Sequence, residues 1–143
     1  MTIKPEFVEY VRTMVRGEHD ANDEVEARLD EIGWDGFPRF LASAFFLAVD
    51  RRFAKDTPQG EIIKFVADLR ADASDGGPAM DPVGAENLIR SIVDPEVDYE
   101  LSQEMIGRIQ AAAVLKILTE DELTDDQLDD FFSEAVGLAS RRL

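Results

Sequence analysis

The segment 38–54 constrains this chain more than any other. Phe40, Leu41, Ala44, Phe45, Phe46, Leu47, Ala48 and Val49 put apolar side chains on nearly every side of a helix that Pro38 can open. A helix with so little polar face has to lie in the middle of a bundle, because water on any side of it would meet a large apolar surface. Arg51, Arg52 and Lys55 at its end suit the negative pole of the helix dipole. The uncharged run 40–49 is about half the ~20 residues that a membrane span needs. The expectation is therefore a buried core helix and no membrane association.

The flanking segments carry the same helical period. Phe7, Val8, Val11, Met14 and Val15 form a stripe that ends before Gly17, and Val25, Leu29 and Ile32 form a shorter one closed by Gly33. Trp34, Asp35, Gly36 and Phe37 read as a turn. Thr57-Pro58 and Asp81-Pro82 each pair a capping residue with a proline at the first helical position, opening a fourth and a fifth helix. Their similarity does not extend past the cap, so it reflects shared capping chemistry and not a repeat. Between them, about 72–80 reads as a flexible loop. Asp94-Pro95 ends the fifth helix and is read as opening the sixth directly, which runs to about Leu118. Thr124 and Gln127 make a capping box for a last helix ending in Arg141 and Arg142. No segment alternates as a strand would. The fold class predicted is all-α: one domain over residues 1–143, a bundle of about seven helices around the buried helix 38–54, with a flexible loop at about 72–80.

Composition narrows the chemistry. The 143 residues include no cysteine and one histidine, His19. Disulfides, thiolate zinc sites and cysteine nucleophiles are excluded. His19 sits in the polar stretch GEHDAND with no nucleophile motif beside it, and reads as an exposed loop residue. The glycine-rich stretch from Asp72 fails as a calcium loop, because Val83 falls where the bidentate glutamate is required. There is no phosphate-binding loop or dinucleotide turn. No catalytic residue, metal site or cofactor is assigned, and the chain is expected to be no enzyme. Glu6 and Glu9 fall where a signal peptide would place its apolar region, which leads to the expectation of a cytoplasmic protein.

Charge supplies the functional expectation. Thirty-one acidic residues oppose fifteen basic ones, for a net charge of −16. Such a surface repels nucleic acid and anionic lipid, so neither is expected to bind directly; a basic protein surface is the partner it favours. Acidic pairs at i, i+3 number six, the background level for this density, and so lend nothing to a carboxylate–magnesium site. At i, i+4 there are twelve, about double what chance placement gives. Five lie between Asp121 and Glu134, with no Lys or Arg between Lys116 and Arg141 to relieve them. At ~100° per residue, Asp125, Asp126, Asp129, Asp130 and Glu134 cover one half of the last helix, opposite Leu128, Phe131, Phe132, Ala135, Val136 and Ala139. These five acids, together with Glu122, are the candidate partner-binding residues. Trp34 and Phe37 join them as loop aromatics, a residue type that anchors partners, although such rings more often fold back to cap a core.

Three functional expectations follow. The first is an interaction protein that docks a basic partner: an inhibitor or immunity-type protein, a chaperone for a cationic client, or a charge mimic. The second is an all-α phosphohydrolase using magnesium on carboxylates. The third is a surface adapted to salt, consistent with four lysines against eleven arginines, in which case the charge describes solvent and not a partner. A homodimer is compatible with each.

Overall fold

A computed structural model of the chain describes residues 3–54, 56–72 and 80–141. Among these residues there are seven helices and no strand: α1 (Pro5–Arg16), α2 (His19–Ile32), α3 (Phe37–Arg52), α4 (Gln59–Asp72), α5 (Pro82–Val93), α6 (Gln103–Glu120) and α7 (Asp125–Arg141). They enclose one hydrophobic core. The all-α bundle expected from periodicity is the observed architecture. No helix among the described residues is long and apolar enough to cross a membrane.

The apolar helix α3 is central, as its lack of a polar face requires. It packs against α5, α6 and α7, and Phe40, Ala44, Phe45, Ala48 and Val49 are at most 1% exposed. Its burial is not complete all round. Phe46 remains 38% exposed, and Asp50 lies outside, so one narrow face reaches solvent. The hydroxyl of buried Ser43 donates to the Arg39 carbonyl (3.0 Å), which lets a polar residue sit in this core without an unmet hydrogen bond. Rings spread from α3 in two directions. Phe40 meets Phe7 and Phe132 at centroid distances of 6.4 Å, and Phe53, just past the helix end, meets Phe65 edge-on at 5.3 Å.

Several boundaries depart from the sequence reading, each for a local reason. Helix α2 begins at His19, the polar stretch being helical; His19 is exposed on its first turn, and Ile32 at its end is 46% exposed instead of buried. Helix α4 starts one residue past Pro58. Helix α6 does not follow Asp94-Pro95 directly. Residues 94–102 are irregular: the Asp94 carboxylate accepts from the Glu96 amide (3.1 Å), and Ser102 is the true cap, its Oγ accepting from the Met105 amide (3.1 Å). An aspartate bonded to the backbone two residues on holds a turn, and so competes with helix initiation. Leu101 then folds back over Gly84, where a Cβ would meet its Cδ2 at 2.5 Å. Glycine at 84 is what allows that approach.

Only the two end residues of the expected loop 72–80 are described. Asp72 belongs to α4, and Met80 is buried, its carbonyl accepting from Arg70 Nε (3.2 Å). The rest of the proposed loop, 73–79, lies outside the described residues, as do Lys55 and Arg142, which were expected at helix ends.

Candidate interaction surface

The capping box places α7. The Thr124 amide donates to Gln127 Oε1 (3.0 Å) and the Gln127 amide to Thr124 Oγ1 (3.2 Å), so two of the orphan donors at this helix start satisfy each other's side chains. The helix then docks with Leu128, Phe131, Phe132, Ala135 and Ala139 buried against the core, while Val136 is half-buried. Burying the two phenylalanines and the leucine stabilises the docked state by about 1.5–3 kcal/mol each. That fixes the rotation of the helix, and with it the direction of every carboxylate.

All five α7 acids are exposed, but they divide into two sets. Asp125 and Asp129 lie on the flank beside α1 and pair with Arg16 and Arg12 respectively. Arg12 also reaches Glu9 (3.5 Å), and its guanidinium lies 5.5 Å from the centroid of the Phe132 ring. These contacts run in opposite sequence order, as they must between antiparallel neighbours. Asp126, Asp130 and Glu134 turn away from α1 and make no ion pair among the described residues. The continuous plate expected from the sequence is therefore neutralised along one edge and open along the other.

Glu122 is not on the helix. It sits exposed in the turn between α6 and α7 with φ +48°, the one non-glycine residue described with left-handed backbone. Its i, i+4 relation to Asp126 is accordingly not a helical one. The neighbouring Asp121 is held by Arg51 Nε (2.7 Å), which ties this turn to the end of α3.

Trp34 and Phe37 fold back and are half-buried. Trp34 meets Tyr10 and Phe37 edge-on at 5.1 and 5.2 Å, and Phe37 meets Phe7 at 5.4 Å. The indole N–H donates to Asp30 (2.8 Å). Burial, reinforced by the charges of Glu26 and Asp30, pushes the Tyr10 phenol pKa up, so it stays protonated well into the alkaline range.

A second acidic surface escaped the sequence reading. Helix α2 exposes Asp20, Asp23, Glu24, Glu26, Asp30 and Glu31, with Arg28 and His19 interspersed. Only two of its pairs have i, i+4 spacing, so a search by that spacing passes over it. The acidity is shared between α2 and α7 and is not confined to the last helix. Among the described residues no three His, Cys, Asp or Glu side chains gather as a metal site would require.

The fold and surface define a class: an all-α bundle with a capped amphipathic terminal helix whose carboxylates face outward. No protein-family model, curated protein or solved structure matches the chain.

Proposed function

We propose that this protein acts by binding a basic protein surface, with the outer edge of α7 as its contact strip. The reading is supported chiefly by Asp126, Asp130 and Glu134. They are exposed, lie four apart along one helix, and pair with no cation among the described residues. Like charges at that spacing cost an isolated helix ~0.2–0.5 kcal/mol per pair. A partner presenting Lys or Arg at matching intervals would relieve that repulsion on docking, and the field of a −16 chain would steer its approach. Inhibition, chaperoning of a cationic client and charge mimicry share this contact chemistry.

Affinity capture at low and at physiological ionic strength tests it. The 143-residue chain should retain a cationic protein at low salt and release it as salt rises. A variant with Asp126→Asn, Asp130→Asn and Glu134→Gln together should capture several-fold less. Equal capture by the two proteins would remove α7 from the contact.

A further inference from the structure

Helices α1, α3 and α6 surround a hollow of about 400 Å³ that no ionised side chain lines. That stands out in a chain of which 32% is charged. Walls that are mostly apolar, with a few neutral polar groups among them, are what small-molecule sites are made of, and the volume is in their range.

The hollow exists because one wall is low. Gly107 and Ala111 lie one turn apart on α6, and both line it. Glycine is among the least favourable residues in a helix interior, so a packing reason for it would be expected. At Gly84 there is one, because Leu101 occupies the space a Cβ would need. At Gly107 there is none: a Cβ would meet nothing within 4 Å. The chain leaves that volume to something else.

The charges nearest the hollow are already taken. A larger cavity adjoins it, sharing Met14, Ala111 and Leu115. There Arg16 pairs with Asp125, Lys116 holds Asp72 and Glu120 at 3.2 and 3.1 Å, and Arg108 has a partner of its own within the chain. An ionic ligand would have to break one of these contacts, whereas a neutral one breaks none. Tyr10 adds no charge either, since burial keeps its phenol protonated.

We propose that this hollow binds a neutral aromatic small molecule, its rings over Gly107 and against Tyr10, Phe37 and Met14, its polar group at the amides of Gln103 and Gln110. Tyr10 and Phe37 offer ring faces and edges, and a thioether packs favourably on an aromatic ring. The bare backbone at Gly107 admits a flat group more closely than a side chain would. Gln103 and Gln110 supply both donors and acceptors without charge.

The test titrates 2-naphthol into the 143-residue chain labelled at its methionine methyls, beside 2-naphthoate, 2-naphthylmethylammonium and naphthalene. Met14 lines the hollow and Met80 only the adjoining cavity, so the methyl spectrum reports where the rings lie. 2-Naphthol should shift Met14 saturably and far more than Met80, and the two charged analogues should bind at least about tenfold more weakly. Gln103→Leu with Gln110→Leu should weaken 2-naphthol about fivefold and leave naphthalene unchanged. Gly107→Leu fills the hollow and should weaken both at least about tenfold, whereas Gly107→Ala should raise the melting temperature and weaken them less. Absence of a saturable shift overturns the proposal. So does a shift at Met80 without one at Met14, equal affinity for neutral and charged analogues, or 2-naphthol binding untouched by Gly107→Leu.

Discussion

The two edges of α7 carry the same residue types at the same spacing and stand in opposite situations. On the inner edge, Asp125 and Asp129 meet Arg16 and Arg12 of α1; on the outer edge, Asp126, Asp130 and Glu134 meet only solvent among the described residues. What separates them is rotation, set by Phe131 and Phe132 on the buried face. Charge counted along a sequence is therefore not charge available to a partner. Even within the inner edge the pairs differ, since Asp125 stays 86% exposed beside Arg16 while Asp129 is 55% exposed beside an Arg12 that also lies over Phe132.

The comparison breaks most completely if α7 loses its anchor. Phe132→Ala should cost about 3–5 kcal/mol in chemical denaturation, because it empties a fully buried site that touches both Phe40 and Phe131. A loss below about 1 kcal/mol would mean that the buried face does not fix the helix. Phe46→Ala, on the solvent-facing side of α3, should cost much less, since that ring is 38% exposed.

Single charge removals sharpen the contrast between the edges. Asp129→Asn should destabilise by up to ~1 kcal/mol, whereas Asp130→Asn should stabilise by a few tenths, as repulsion from Asp126 and Glu134 is relieved. Equal signs in paired denaturation curves would erase the distinction. At the turn, Glu122→Asn should stabilise by roughly 0.5–1 kcal/mol, since asparagine tolerates the left-handed backbone better and one acid is removed.

Much of this was legible before any coordinates. Helical period, the proline starts and the Thr124–Gln127 box marked the helices, because each is a local signal that survives folding. The all-apolar character of 38–54 marked the centre. The start of α6 was not legible: Asp94-Pro95 resembles two genuine helix starts nearby, and only the Asp94–Glu96 turn with Leu101 over Gly84 shows that the chain takes a detour first. The division of the α7 acids was hidden as well. Arg12 and Arg16 lie more than a hundred residues away in sequence, and nothing in the local pattern says which edge of α7 they face. Helix α2 was overlooked for a different reason. Its acids are irregularly spaced, so no run of i, i+4 pairs marks it in the sequence.

A smaller effect is expected at alkaline pH. Tyr10 and Lys116 both have pKa values raised in the folded state, so each contributes stability that is fully present below its unfolded value near ~10 and is lost as pH rises through the folded value. Denaturation midpoints should hold steady up to about pH 10 and decline beyond it, and Tyr10→Phe should flatten part of that decline. A decline of the same depth in Tyr10→Phe would remove the phenol from the account.

The central claim is tested most directly by measuring the affinity of a lysine decapeptide at low salt for two variants of equal net charge. One carries Asp126→Asn, Asp130→Asn and Glu134→Gln on α7; the other carries Asp23→Asn, Glu24→Gln and Glu31→Gln on α2. The α7 variant should lose about tenfold in affinity and the α2 variant no more than about twofold. Equal losses would show that the peptide senses only total charge, and a larger loss from the α2 variant would move the contact surface to that helix.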